Sequence, residues 1–254
     1  MFYHRRTTMT KAEIQFVRSL ADKRMRDSEG VFIAEGDKLV EEIVASGLNI
    51  RNLYTTHKDS ALRGATLVER SEMERISQLK TANTTLAVVE QPRYRLDERA
   101  LRDNLVLALD GVQNPGNMGT IIRLADWFGL KDIICSMECA DCYNPKVVQA
   151  TMGAILRVRV HYVEDLASLL GRLNNSGMPI YGTLLDGENI YTKQLTHNGV
   201  IVMGNEGRGL SDACRAKVSD RLFIPPYPID TPTSESLNVA MATGIVLAEF
   251  RRPR

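Results

Sequence analysis

A chain of 254 residues, 44% hydrophobic and 25% charged, has the composition of a globular protein long enough to bury a core without disulfide staples. A net charge of +1 does not by itself announce a nucleic-acid partner, and no run approaches the ~18 apolar residues of a membrane span. The first residues carry no apolar signal-peptide core, and four cysteines in a chain this size make no disulfide framework. The expectation is a cytoplasmic protein without a membrane partner.

Charge is unevenly spread. Residues 1–26 hold seven basic residues (Arg5, Arg6, Lys11, Arg18, Lys23, Arg24, Arg26) against Glu13 and Asp22. Such a face can bind phosphates or can be a solvated helix surface. Thr10 and Glu13 spell a capping box, and Ile14, Val17, Leu20 and Ala21 then recur at helical spacing. A strand is predicted at Val31–Ala34, a helix at Lys38–Ala45 ending near Gly47, a strand at Ile50–Thr55, a helix at Ser71–Leu79 and a strand at Thr84–Glu90. This alternation predicts a small α/β domain over residues 1–92. The polar, charged stretch that follows, with one proline, predicts a linker at 93–104.

From Leu105 the pattern restarts. Apolar runs at 105–110, 132–135, 179–185, 199–203 and 221–224 suit parallel strands buried on both faces. Helices are predicted near 117–128, 144–155, 164–174 and 236–250. The second domain is therefore an α/β unit with a parallel sheet over 105–254.

Three segments in it carry candidate chemistry. In the first, Asp110–Arg123, Gly116 and Gly119 permit a tight turn, Asn117 is a good helix N-cap, and Arg123 follows six residues on. In the second, Ile201–Ser211, an apolar strand runs into a loop with Gly204, Gly207 and Gly209, which lets a ligand approach bare backbone. Its spacing is GxxGxG rather than the dinucleotide GxGxxG, and no GK[ST] occurs. Glu206 in this loop needs a partner, since a carboxylate is costly to bury alone; a cation is the expected one. In the third, Phe223–Gly244, prolines stiffen a loop before Ser234, Ser236 and Asn238 gather at a helix start. The first and third segments alone also read as ordinary helix capping.

Cys135, Cys139 and Cys142 spell C-x₃-C-x₂-C, the spacing of a three-thiolate iron–sulfur ligand set. Cys135 closes an apolar run and is expected in a buried strand, and the second glycine-rich motif that radical enzymes with such a cluster carry does not follow, so the cluster is disfavoured. The four histidines show no metal spacing; no metal is expected. Trp127, with Phe128 after Arg123, is read as core or subunit interface, with base stacking less favoured.

As a set and in this order, the motifs N-x-G-x-x-x-R (117–123), G-x-E-G-x-G-L-S (204–211) and S-L-N-V (236–239) resemble those of the SpoU/TrmH branch of the SPOUT methyltransferases, over residues 105–250. Tyr143-Asn-Pro-Lys-Val-Val and Met152-Gly-Ala resemble the family's intervening segment. In residues 1–92, Arg18, Lys23, Arg24, Phe32-Ile-Ala-Glu-Gly36 and Lys38 resemble its substrate-binding extension. The stretch from Ile224 to Leu237 is longer than the family pattern, with an added Tyr-Pro-Ile-Asp-Thr-Pro.

The resemblance implies a deep trefoil knot, a homodimer and S-adenosylmethionine-dependent methylation of a ribose 2′-hydroxyl in RNA. Ribosomal RNA is the first choice and transfer RNA the second; the alternative is a catalytically silent RNA-binding module of the same fold. It implies cofactor contacts from Thr183, Leu184, Gly204, Asn205, Gly207, Ile224 and Leu237. Catalytic roles fall to Arg123, Asn117, Glu206, Ser236 and Asn238, with Asn117, Ser236 and Asn238 orienting Arg123 and the ribose. RNA contacts fall to Arg18, Lys23, Arg24, Arg26 and Lys38. For Arg123 two roles stay open: positioning a phosphate that takes the proton, or acting as the base. The first suits a side chain whose pKa stays above about 12.

Overall fold

Thr10 and Glu13 close the reciprocal cap that their spacing promises: the Thr10 hydroxyl accepts from the Glu13 amide while the Glu13 carboxylate takes the Thr10 amide. That cap starts α1 (Lys11–Ser19) in a computed structural model that describes residues 8–228, 234 and 236–253. Arg5 and Arg6 lie outside the described residues, as does most of the added segment between Tyr227 and Ser236. The chain divides into two units, Met1–Arg93 with Asp141–Leu156, and Tyr94–Ala140 with Arg157–Arg254.

The first unit continues with α2 (Lys23–Glu29), β1 (Val31–Glu35), α3 (Asp37–Ser46), β2 (Ile50–Thr55), β3 (Thr66–Leu67), α4 (Arg70–Ile76) and β4 (Thr85–Glu90). Its sheet has the order β1-β4-β2-β3, with β4 antiparallel to both neighbours and β3 parallel to β2. Strand side chains alternate between faces, and both faces are covered. Val31, Ile33, Leu86 and Val88 pack with Ile14 and Val17 of α1 and Met73 and Ile76 of α4. Phe32, Ala34, Ala87 and Val89 pack with Leu39, Val40 and Ile43 of α3.

Three features depart from the periodicity. Helix α2 is short and polar; the Asp22 carboxylate caps its start and Gly30, at φ 63°, ends it in the left-handed conformation,. Helix α4 stops at Ile76 because the Ser77 hydroxyl and the Gln78 amide turn away to donate to Glu35, at 2.6 and 2.7 Å. The segment Asp141–Leu156, grouped by sequence with the second domain, packs in the first unit. It carries α6 (Pro145–Thr151); Tyr143 stacks on Phe32 at 5.0 Å between ring centroids, and Val148 joins the α3 core.

Arg26 requires a correction. Read as an RNA contact, it is 1% exposed. Its guanidinium donates to the carbonyls of Leu20 and Ala21 at 2.7 and 2.8 Å and to the Asp141 carboxylate at 2.5 Å. A charge this deep is held by partners and is not offered to phosphates. Arg18, Lys23, Arg24 and Lys38 are exposed, although Lys23 pairs with Asp27 and Arg24 with Asp22.

The second unit holds β5 (Leu105–Asp110), α5 (Pro115–Trp127), β6 (Asp132–Ser136), β7 (Arg159–Val163), α7 (Leu166–Asn175), β8 (Ile180–Asn189), β9 (Gly199–Gly204), α8 (Asp212–Arg215), β10 (Asp220–Phe223) and α9 (Val239–Phe250). Its six-stranded sheet has the order β10-β8-β9-β5-β6-β7, every adjacent pair parallel. The central strands are buried along their whole length, as apolar runs in a doubly covered sheet must be. β7 is an edge strand of mixed character, which is why no apolar run announced it. The polar stretch read as a linker is fastened to this unit: Leu101, 2% exposed, packs among Leu169, Leu170 and Val200, and Glu98 pairs with Arg172 at 2.8 Å. Among the described residues no helix is long and apolar enough to cross a membrane.

Candidate functional site

The three motif segments leave the carboxyl ends of β5, β9 and β10, the end of an open parallel sheet where ligands are placed. The first begins with Asn114, not Asn117, as the helix cap. The Asn114 side chain accepts from the Gly116 and Asn117 amides at 2.8 and 3.1 Å, and Pro115 occupies the first helical position, where proline is pre-shaped for a helix. This shift places Asn117 inside the first turn and frees its side chain.

That side chain joins the other two segments. Asn117 Nδ2 donates to Glu206 Oε1 at 2.9 Å, and Asn117 Oδ1 accepts from Asn238 Nδ2 at 3.0 Å. Asn238 Oδ1 in turn caps α9 by accepting from the Ala240 and Met241 amides. One chain of side-chain hydrogen bonds thus links positions 206, 117 and 238.

Glu206 finds amides where a cation was expected. Besides Asn117, its carboxylate accepts from the backbone amides of Gln113 and Asn114 at 3.2 and 3.0 Å, and among the described residues it has no ion pair. Desolvation raises its pKa. The Asn117 side chain and the surrounding backbone amides lower it by more, leaving the carboxyl below its ordinary value and ionised,.

The loop from Gly204 to Ser211 folds back on its strand. Asn205 and Gly209 exchange two backbone hydrogen bonds of 2.9 Å. A Cβ on Gly204 would lie 2.3 Å from the Gly209 carbonyl carbon, and Gly209 sits at φ 69°, so both positions require glycine. Asn205 spends its side chain on this turn, donating to the Gly111 carbonyl and accepting from the Gly207 and Arg208 amides.

Beside the loop lies a cleft of about 910 Å³ lined by Thr183, Leu184, Gly204, Asn205, Gly207, Ile224 and Leu237, the residues read as cofactor contacts, and by Glu206 and Ser236. One wall comes from an irregularity in β8. Gly182 is level with Arg221 of β10, but the next residue, Leu222, is level with Glu188, so 183–187 bulge out of register,. An ion-pair cluster that sequence reasoning missed stands on this wall: Asp186 holds Arg215 at 2.7 Å and Arg221 at 2.6 Å. Its members lie far apart in sequence, and no motif marks them.

Arg123 stands apart. It is exposed on α5, does not line the cleft, and among the described residues has no hydrogen-bond or ion-pair partner. Asn117 and Asn238 therefore bind each other and not Arg123. Gly116, Thr120, Arg123 and Trp127 form one exposed face of α5. Trp127 is 82% exposed, which removes its reading as a core residue. All four cysteines are buried free thiols. A hydrogen bond from Cys135 is the main cause that draws Cys139 down to about 7, while burial pushes Cys214 up to about 11. Cys142 belongs to the first unit, Cys135 and Cys139 to the second. Among the described residues no three His, Cys, Asp or Glu side chains are grouped to hold a metal ion.

Known proteins share this architecture. A TrmH-family protein from Porphyromonas gingivalis superposes with a TM-score of 0.85 at 37% identity, over 96% of this chain and 99% of that one. An rRNA methyltransferase from Sinorhizobium meliloti, solved with S-adenosylmethionine bound, gives 0.82 at 28% identity over 96% and 97%. In sequence, the 23S rRNA (guanosine(2553)-2′-O)-methyltransferase RlmP of Bacillus subtilis is 29% identical over 241 residues, 92% of this chain and 94% of the relative. The model of the SpoU rRNA methylase family matches residues 104–248, and that of the MRM3-like substrate binding domain matches 11–88. The chain belongs to the SpoU rRNA methylase family.

Proposed function

We propose that this protein transfers a methyl group from S-adenosylmethionine to a ribose 2′-hydroxyl of ribosomal RNA. The observation that carries the proposal is the hydrogen-bonded chain Glu206–Asn117–Asn238, which gathers all three motif segments beside one cleft. The cleft suits the cofactor: its volume of about 910 Å³ lies in the range of ligand pockets, roughly 300–1,000 Å³. Its lining joins apolar walls at Leu184, Met203 and Ile245 to bare glycine backbone. Backbone of Gly204, Ile224 and Leu237 would read the adenine, with Asn205 and Gly207 shaping the loop.

When bound, the cofactor supplies a methyl group on a sulfonium already activated for in-line attack. The chain's residues deal with the nucleophile, since a ribose hydroxyl is a very weak acid. The exposed guanidinium of Arg123, without a partner among the described residues, is available to hold an RNA phosphate, which then takes the proton. Such positioning supplies several kcal/mol. Glu206 fixes Asn117 and Asn238 in place, and Ser236 adds a hydroxyl at the cleft. In the first unit Arg18, Lys23, Arg24 and Lys38 are left as RNA contacts.

The same reading includes a cytoplasmic homodimer with a trefoil knot in its second unit. The exposed α5 face with Trp127, and the exposed Met241 on α9, support the pairing, which light scattering would test. The deciding experiment incubates the protein with ribosomal RNA, transfer RNA and labelled S-adenosylmethionine and maps alkali-resistant linkages. Label in ribosomal RNA at a 2′-O position is expected. Label in transfer RNA alone would move the substrate, and binding of RNA without transfer would favour the silent module.

A further inference from the structure

The glycine loop keeps one shape although Glu206, Gly207, Arg208 and Gly209 are all exposed. What fixes it is the end of β5. At one end of the loop the Asn205 side chain donates to the Gly111 carbonyl at 2.7 Å. At the other the Ser211 amide donates to Asp110 Oδ2 at 2.7 Å. Asp110 is the last residue of β5 and stands level with Gly204 in the β5–β9 register. It is 9% exposed, does not line the cleft, and among the described residues has no ion pair. An enclosed carboxyl that accepts from a loop amide, with the Cys214 thiol as its second hydrogen-bond neighbour, anchors the loop at a fixed point.

We infer that Asp110 is a positioning residue: its acceptor oxygen clamps the glycine loop in the shape that receives the cofactor. This rests on the reading that the cleft takes S-adenosylmethionine. The clamp acts through the hydrogen bond and not through net charge, because the two groups it meets, the Ser211 amide and the Cys214 thiol, are both neutral donors. An asparagine keeps an acceptor oxygen in the same place; an alanine keeps none and leaves the Ser211 amide unpaired.

The test is calorimetric titration of S-adenosylmethionine into the full-length wild type, Asp110→Asn and Asp110→Ala, each checked for folding by thermal melting. Asp110→Ala is expected to weaken binding about tenfold, the scale of leaving one enclosed donor unpaired, and Asp110→Asn to stay within about threefold. Turnover at saturating cofactor should change little in either. Equal affinity in wild type and alanine variant, or equal loss in both variants, overturns the clamp. Amide exchange at Ser211 without ligand reads the clamp directly, even if the alanine variant does not fold or the wild type ignores the cofactor. Slow exchange in wild type and Asp110→Asn supports it; exchange in wild type as fast as in an unstructured peptide overturns it. Failure of the wild type to bind the cofactor sinks the cofactor reading instead.

Discussion

Glu35 in the first unit and Glu206 in the second do the same mechanical work with opposite electrostatics. Each carboxylate gathers a neighbouring segment by accepting from its donors: Ser77 and Gln78 for Glu35, Gln113, Asn114 and Asn117 for Glu206. Glu35 is 3% exposed, and desolvation outweighs its hydrogen bonds, so its pKa is raised. Glu206 is open to solvent on one side; there the hydrogen bonds win and its pKa is lowered. The two arginines divide in the same way. Arg26 is enclosed, with both terminal guanidinium nitrogens bonded to protein oxygens, whereas Arg123 is exposed and has no partner among the described residues. The lesson is that burial, more than residue type, separates a framework charge from a working one.

The sharpest way to break this contrast is Arg123→Ala. Methyl transfer should fall at least ~10²–10³-fold, the scale of losing one preorganised electrostatic group, with cofactor affinity near wild type. Single-turnover kinetics and calorimetry measure the two; near-normal turnover would remove Arg123 from the mechanism. Next is Arg26→Ala, which leaves the Asp141 carboxylate without its cation. Unfolding in urea should show a loss of about 3–5 kcal/mol, while RNA affinity of the folded fraction is unchanged.

Glu206→Gln brings an amide group against four donors, from Gln113, Asn114, Asn117 and Asn205. Loop anchoring should weaken by about 1–3 kcal/mol, read as weaker cofactor binding. The pH dependence has a definite sign. A lowered folded-state pKa stabilises above the ordinary value of 4.5 and loses that contribution as pH falls through the folded-state value. The stability gap between wild type and variant should therefore close on acidification. Glu35→Gln is the smallest effect and has the opposite slope. The raised pKa favours folding below 4.5 and the benefit is lost as pH climbs through the folded-state value. Wild type should lose stability relative to the variant as pH rises. Parallel slopes in the two urea–pH series would end the comparison.

The sequence carried the fold where hydrophobic pattern alone decides it. The runs at 105–110 and 199–203 became central parallel strands, and the Thr10 cap stands as read. It failed where a distant side chain sets the boundary. Nothing local ends α4 at Ile76, because the Glu35 that draws off the next residues is 42 positions away. Arg26 looked like its basic neighbours, since its partner Asp141 is 115 positions away. At the site, each motif marked its residues, but the partner of Glu206 was read as a cation, and its amide donors at 113, 114 and 117 lie about 90 positions away. Two cap-competent residues, Asn114 and Asn117, compete for one helix start. Only the choice of Asn114 frees Asn117 to link the other segments.

Trp127 has one more use. It is the single tryptophan of the chain, and it stands in solvent beside Arg123 on the same helix face. Its fluorescence thus reports that face alone, with no label introduced. A blue shift as protein concentration rises would register a second subunit covering α5. Quenching on addition of RNA at a fixed concentration would register a base arriving there instead.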